Sequence, residues 1–142
     1  MPDEISDPPA RPPGPDAADL LEGSAGEGGS DGSMRAGIAN AMVGLKKKYY
    51  GRGPTAAKAW LLDDYVFVAL EGGLTRNEET LLEAGKEQIV RNYRLSFQET
   101  MAGVTCGAVE ELTGRRVIGY HSQIVFEPAR SFEIFVLAPQ SG

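Results

Sequence analysis

The segment from Lys46 to Pro54, "KKKYYGRGP", combines residue types that could hold an anion. The lysines and Arg52 carry positive charge, the tyrosines offer hydroxyl groups, and the glycines permit a tight turn. However, the segment lacks the Gly-x-x-x-x-Gly-Lys-Ser/Thr pattern of a phosphate loop, and it follows a helix C-terminus, whose dipole repels phosphate. We therefore predict a helix end here, with Arg52 open as a binding residue for a partner or an anionic metabolite.

Nucleophilic catalysis would depend on the single histidine, His121. A Ser-His-Asp triad would need it together with a serine and an aspartate that the fold brings close. None of the candidate serines lies in a nucleophile-elbow pattern, and the lone Cys106 has no sequence neighbour that would lower its pKa. We predict no catalytic residue. The triad candidates considered are Ser96, Ser122 and Ser131 with Asp63 or Asp64.

Three pairs of adjacent acids could suggest metal binding, but each has a simpler interpretation. Asp63-Asp64 suits a turn, Glu78-Glu79 suits the first turn of a helix, and Glu110-Glu111 suits a solvated helix face. Adjacent carboxylates at a strand end diverge, so they do not converge on one ion. The sequence predicts neither a metal site nor a cofactor.

Arg115 and Arg116 occupy the second helix-to-strand junction of the chain, as Arg52 occupies the first. If both junctions lie at one end of the sheet, these side chains would form a surface that attracts anions. A broad nucleic-acid footprint is disfavoured, because residues 34–142 carry 12 acidic and 13 basic residues.

The first element is predicted to be a helix. Ile38, Met42, Leu45 and Tyr49 recur at steps of three and four, which places them on one helix face. Asp31 or Ser33 is the expected N-cap, Gly51 the left-handed residue after the last turn, and Pro54 prevents continuation. Residues 55–62 and 65–70 then predict a β-hairpin, and Thr75 with Glu78 has the form of a capping box.

A short helix ending near Gly85 is expected to precede one long core helix of about seven turns. The apolar stripe that predicts it comprises Ile89, Tyr93, Phe97, Met101, Val104, Ala108 and Leu112. Gly114 would end this helix, and residues 117–126 and 132–137 predict a second hairpin. Two α-β-β units therefore predict an α+β fold with a four-stranded antiparallel sheet and helices packed on one face.

Residues 1–33 differ in composition from the rest of the chain. They contain eight acids, one base and 12 glycine or proline residues, with few apolar side chains. Such a segment cannot bury enough surface to offset its ordering entropy, so we predict a disordered acidic tail, followed by one domain over residues 34–142. The chain shows no secretory signal pattern, no transit-peptide pattern and no apolar run of spanning length, which favours a cytoplasmic protein.

Five blocks in this order and spacing resemble the MpsC-like family, a domain of unknown function named after a Na+-translocating membrane-potential-generating system. The blocks are "YYGRGP", "LEGGLTRNEETLLEAG", "VRNYRLSFQETM", "VEELTGRRV" and "FEIFVL". The resemblance covers about residues 35–138. By position, Gly51, Arg52, Gly53, Pro54 and Arg94 match recurrent residues of such sequences.

The resemblance implies a small bacterial accessory or interaction module linked to a membrane ion- or bicarbonate-transport system, with a protein partner and a location that is cytoplasmic or peripheral to the membrane. It implies no catalytic residue or cofactor. The alternative is a sensor or small enzyme that binds an anionic metabolite at the Arg52 loop. An exposed sheet face or edge would favour a homodimer. The candidate binding residues are Tyr50, Gly51, Arg52, Gly53, Pro54, Arg94 and Arg116.

Overall fold

The computed structural model describes residues 30–140, which form four helices and four strands. The predicted tail lies outside this range up to residue 29. In chain order the elements are α1 (Ser30–Tyr50), β1 (Ala56–Leu62), β2 (Tyr65–Glu71), α2 (Arg76–Glu83), α3 (Glu87–Thr100), α4 (Ala102–Thr113), β3 (Val117–Phe126) and β4 (Ala129–Leu137).

The four strands form one antiparallel sheet in the order β1-β2-β4-β3. Each hairpin pairs its own strands, and the hairpins join through β2 and β4, where Val66 lies opposite Phe135. The helices pack on the face that carries these two residues. The structure therefore confirms the predicted α+β fold with helices on one face of a four-stranded sheet.

The core lies between this inner sheet face and helices α1 and α4. Strand β2 shows the alternation expected for a sheet covered on one side, because Val66, Val68 and Leu70 are buried while their neighbours are more exposed. Ile38 and Met42 of α1 and Val109 of α4 contribute the helical side of the core. Burial of these apolar side chains is the main stabilising term for a domain of this size.

The structure confirms most of the apolar pattern predicted for helix α1. Ile38 and Met42 are fully buried, whereas Tyr49 at the far end of the same stripe is exposed. The helix begins at Ser30, before both predicted N-caps, so positions 30–33 form its first turn rather than the end of the tail. At its other end Gly51 has φ +85°, and its N–H donates to Lys47 O, which confirms the predicted helix stop.

The long core helix predicted from the apolar stripe is wrong in two respects. The chain forms two helices, α3 and α4, which meet at Met101. In addition, the buried face lies one residue further along, so Ile89, Tyr93 and Val104 of the stripe are exposed. The side chains buried instead are Val90, Arg94, Gln98, Thr105 and Val109. Polar residues occupy this face because the fold supplies partners for them.

The local turn signals are confirmed. The Thr75 side chain accepts a hydrogen bond from the Glu78 N–H, and the Glu78 carboxylate accepts from the Thr75 N–H, which makes a complete capping box. Asp63 takes φ +52° in the turn between β1 and β2, and Gly114 ends α4 in the left-handed region.

Candidate functional site

Six of the seven predicted binding residues lie at one junction, where the segment after α1 meets the loop before α2. The backbone of Pro54 passes so close to Gly73 that a Cβ on Gly73 would lie 3.3 Å from it. Gly53 is similarly close to the last turns of α1, where a Cβ would lie 3.2 Å from the Cβ of Lys47. The glycines therefore let two backbone segments and a helix pack closely. We name this group (Tyr50–Pro54, Gly73, Glu78 and Arg94) the junction cluster.

Arg94 of α3 lies at the centre of the junction cluster. Its Nε and Nη2 donate to the two carboxylate oxygens of Glu78, each at 2.7 Å, and Nη2 also donates to Gly73 O at 3.0 Å. The guanidinium lies 4.1 Å from the centre of the Tyr50 ring. Both members of this ion pair are buried. The bidentate geometry and the stacked ring are interactions that lysine cannot reproduce.

Glu78 connects the pair to α2. Burial alone would raise the pKa of Glu78, but the hydrogen bond from Arg94 and the N–H of Thr75 outweigh it, so this pKa lies below its ordinary value. The carboxylate is therefore charged at neutral pH and neutralises Arg94. The ion pair thus fixes the start of α2 against the middle of α3.

Arg52 differs from Arg94 in its surroundings. Its Nη1 donates to Leu74 O at 3.0 Å and lies 3.8 Å from a carboxylate oxygen of Glu79. More than half of its side chain, 55%, is exposed to solvent. Arg52 thus ties the turn to the loop before α2 and still presents donors outward, which a partner or an anion can reach.

The basic residues of the second junction lie at the opposite end of the sheet. The segment after α1 enters β1 at Ala56, which pairs with Glu71, whereas Arg115 binds the turn at the other end of β1. Arg115 Nη2 donates to Asp64 Oδ1 at 2.5 Å and to Ala138 O at 2.7 Å. Arg116 is exposed beside it. The condition for one shared anion-attracting surface is therefore not met. Because β4 lies between β2 and β3, strand β3 runs antiparallel to β1 and begins at the opposite end of the sheet.

The candidates for nucleophilic catalysis are dispersed. His121 and Ser122 are adjacent in β3, so their side chains lie on opposite faces of the sheet. Ser122 donates to Gln98 on the inner face, while Asp64 at the sheet end is bound to Arg115. Burial raises the pKa of the Cys106 thiol, which disfavours the thiolate.

Sequence reasoning missed a second ion pair, in the core. Lys46 Nζ lies 2.8 Å from Glu133 Oε2, and the Glu133 side chain is 0% exposed. Burial and the neighbouring Glu133 carboxylate raise the pKa of Tyr120. The alternation of β4 contains the signal that could have found Glu133, because it occupies the same face as Phe135 and Leu137, two and four residues later.

The sheet face away from the helices carries an apolar patch at its centre, and we name this face the outer face. Charged and polar side chains border the patch, namely Lys58, Glu71, Gln123 and Arg130. One row across it runs through Trp60, Phe67, Ile134 and His121, and the next runs through Leu62, Tyr65, Val136 and Gly119. The Trp60 and Phe67 rings are 5.8 Å apart. Within residues 30–140 no helix covers these side chains, and Leu62, Tyr65 and Phe67 are exposed.

No helix within residues 30–140 is long and apolar enough to cross a membrane. Over the same range no three histidine, cysteine, aspartate or glutamate side chains gather in a way that could hold a metal ion.

Comparison with known proteins places the chain in a family. No curated protein and no solved structure shows a significant match. The sequence model of one family, described as "Na+-translocating membrane potential-generating system (MpsC)", matches residues 30–139. This match covers most of the chain and includes the junction cluster, both hairpins and all four helices. The chain therefore belongs to the MpsC family.

Proposed function

We propose that this protein is a non-enzymatic accessory module of a membrane potential-generating system, and that it works as a homodimer joined through the outer face. The family description supports the link to a membrane system. The outer face is the observation that carries the proposal of an interaction module. In this proposal the module is located on the cytoplasmic side, peripheral to the membrane, where it contacts a protein partner.

The outer face has the composition of an interface rather than of a solvated sheet. A sheet with one face in water normally alternates apolar inward and polar outward side chains. Here three of the four outward positions of β2 are Tyr65, Phe67 and Ala69, and the positions beside them on β4 are Val136, Ile134 and Phe132; the fourth pair, at the border, is Glu71 and Arg130. A continuous apolar patch of this kind is typical of a surface that another molecule covers.

A second copy of the chain fits this face by size. Four strands spaced about 4.8 Å apart, with seven residues at about 3.3 Å each, give roughly 440 Å² in projection. Protruding aromatic side chains make the accessible area of the face larger than this projection. A stacked pair buries the face of both chains, so its total comes near the lower end of the range of about 1,200–2,000 Å² that specific interfaces bury. Two identical apolar faces are also self-complementary about a two-fold axis.

Face-to-face stacking is preferred over pairing of sheet edges. The edge strand β3 already has one carbonyl occupied, because Arg91 Nη1 donates to Ile124 O at 2.5 Å. The other edge strand, β1, carries Lys58, and charged side chains on edges oppose pairing with further strands.

The link to the membrane system is tested by reciprocal capture in the native host. The tagged chain is recovered from membranes that have been cross-linked and then solubilised. We expect recovery of an integral membrane subunit of an ion-transport complex, and we expect that subunit, when tagged, to recover this chain. If neither direction recovers the other protein, the proposal is overturned.

The exposed guanidinium of Arg52 supports the alternative of an anion-binding sensor. Arg52→Ala would then abolish binding of an anionic metabolite while the melting curve stays unchanged. Arg116→Ala is a matched control, because Arg116 is also an exposed arginine but lies at the opposite end of the sheet. A metabolite library screened by isothermal titration calorimetry provides the probes, and equal binding by wild type and Arg52→Ala would contradict this alternative.

A further inference from the structure

The charged side chains of the outer face lie toward one end of the sheet. The last row at that end runs through Ala56, Glu71, Arg130 and Val125, and the row beside it runs through Lys58, Ala69, Phe132 and Gln123. The two rows toward the other end contain no aspartate, glutamate, lysine or arginine. The outer face therefore has a polar end and an apolar end, and this asymmetry can select the orientation in which a second copy binds.

Glu71 and Arg130 are the two charged residues in the middle of the polar end. They lie on β2 and β4, the two central strands, and they are direct neighbours across the sheet. Within residues 30–140, however, neither side chain forms an ion pair. Glu71 is exposed, and Arg130 Nε is buried without a hydrogen-bond partner. A buried donor of this kind costs free energy unless an acceptor reaches it, so both charges are available to a second molecule.

Two copies can stack face to face in only a few orientations. Packed sheets keep their strands within about 30° of each other or cross them near a right angle. A right-angle crossing would leave the two ends of the face uncovered and reduce a buried area that is already near the lower end for specific interfaces. Aligned stacking overlaps the whole face. The two-fold axis of an aligned pair then runs either across the strands or along them.

An axis across the strands exchanges the two ends of the face. Each strand then lies on its own copy, so Glu71 faces Tyr65 of the partner subunit and Arg130 faces Val136 of the partner subunit. Both charges would lose water without gaining a counter-charge, which opposes association. The charge pattern therefore disfavours this orientation.

An axis along the strands keeps the two ends together and reverses the strand order. Strand β2 then lies on β4 of the second copy, which places Glu71 opposite Arg130 of the partner subunit. The polar end lies about 10 Å from the centre of the face, so a rotation of about 30° between the sheets shifts this contact sideways by about 5 Å. The long side chains of glutamate and arginine can span such a shift. The two-fold axis repeats the contact, which gives two ion pairs.

The second row is also complementary in this orientation. Lys58 faces Gln123 of the partner subunit, so a polar side chain meets a polar one. Ala69 faces Phe132 of the partner subunit, so a small side chain meets a large one. Both contacts lie nearer the centre of the face, where rotation of the sheets shifts them less.

We propose that the two copies bind with their two-fold axis parallel to the strands, and that two reciprocal ion pairs between Glu71 and Arg130 fix this orientation. The inference rests on the proposed homodimer and adds the register of its two faces. The ion pairs supply specificity, whereas the apolar rows supply most of the buried area.

Charge reversal at these two positions tests the orientation. Glu71→Arg and Arg130→Glu are measured by sedimentation equilibrium at neutral pH, each alone and then as an equimolar mixture. Alone, each variant should self-associate at least about tenfold more weakly than wild type, because like charges then face each other. The mixed pair should associate at least about tenfold more tightly than either variant alone, because both of its contacts join an arginine to a glutamate.

Glu83→Arg is the matched control, because it makes the same reversal at an exposed glutamate of α2, away from the outer face, and it should self-associate as wild type does. A wild type with the mass of one chain would overturn the homodimer itself. A wild-type dimer together with reversals that have no effect, or that mixing does not rescue, would overturn the orientation alone. If circular dichroism shows that a reversal unfolds the chain, Glu71→Gln and Arg130→Gln replace the pair, and self-association as tight as that of wild type in both would overturn the orientation.

Discussion

Arg94 on α3 binds both carboxylate oxygens of Glu78 on α2, with each nitrogen-to-oxygen distance at 2.7 Å. The two residues are 16 positions apart, and both are buried. The blocks "YYGRGP", "LTRNEE" and "VRNYR" each contribute a member of the junction cluster, because they contain Tyr50, Glu78 and Arg94. The cluster's main role in the fold is to fix α2, α3 and the end of α1 to one another.

Glu78→Gln should destabilise the protein strongly. The substitution keeps the shape of the side chain but leaves the Arg94 guanidinium buried without its counter-charge, which costs about 3–5 kcal/mol of unfolding free energy. Urea denaturation measures this loss. Glu79→Gln is the matched control, since Glu79 is half-exposed and 3.8 Å from Arg52, and its cost should stay below about 1 kcal/mol. Equal costs for the two variants would show that the buried pair does not hold the helices.

The same pair predicts a dependence of stability on pH. The pKa of Glu78 is lower in the folded than in the unfolded chain, so its contribution is present above the unfolded value and is lost as the pH falls through the folded value. The difference in unfolding free energy between wild type and Glu78→Gln should therefore shrink as the pH falls from about 5 to about 3, around and below the unfolded pKa of about 4.3. A difference that stays constant over this range would contradict the lowered pKa.

Substitutions at two glycines with positive φ allow the cost of backbone strain to be measured apart from the cost of a steric contact. Gly51 has φ +85° with open space around it, whereas Gly73 has φ +88° with Pro54 backbone atoms 3.3 Å from the position of a Cβ. Gly51→Ala should cost about 1–2 kcal/mol for the left-handed conformation alone. Gly73→Ala should cost more, because Pro54 must also move. Thermal denaturation of both variants checks the order, and a larger loss at Gly51 would contradict the close packing.

The shifted face of α3 predicts which phenylalanine matters more for stability. Phe135 is fully buried in the core, so Phe135→Ala should cost about 3–5 kcal/mol. Phe97 is only half-buried, between Tyr50 and Tyr93, and Phe97→Ala should cost clearly less. Chemical denaturation of the two variants side by side measures the difference. A greater loss of stability at Phe97 would contradict the shifted face and support burial of the apolar stripe predicted from the sequence.

The strands, turns and caps could be predicted from the sequence because their signals are local. The capping box of Thr75 and Glu78, the turn at Asp63 and the left-handed Gly114 each depend on a few neighbouring residues. The two hairpins follow from strand-forming composition on either side of such turns. These elements were sufficient to give the fold class.

The buried face of α3 could not be predicted, because it is decided by distant partners. Arg94 is buried against Glu78, and Gln98 is buried against Ser122, 24 positions away. Considered alone, an arginine and a glutamine are expected on the solvent side of a helix. The predicted buried face therefore excluded both residues and was one position off.

The position of the second arginine junction depends on strand order. If β3 had paired with β2, it would have run in the direction of β1, and Arg115 would have lain beside Arg52. Because β4 is the partner of β2, Arg115 lies at the other end of the sheet. Composition does not distinguish these two orders, since both strands of the second hairpin are mostly apolar, with six apolar residues of 10 in β3 and six of nine in β4.

The most direct test of the proposed homodimer is sedimentation equilibrium of the full chain and of two single variants. Phe67→Lys places a charge in the centre of the outer face, where Phe67 is 36% exposed, and Leu95→Lys makes the matched change at a residue 37% exposed on α3. We expect wild type and Leu95→Lys to have twice the mass of one chain, and Phe67→Lys to have the mass of one chain with an unchanged circular dichroism spectrum. A wild type with the mass of a single chain, or a dimer that survives Phe67→Lys, would contradict the outer face as the site of self-association.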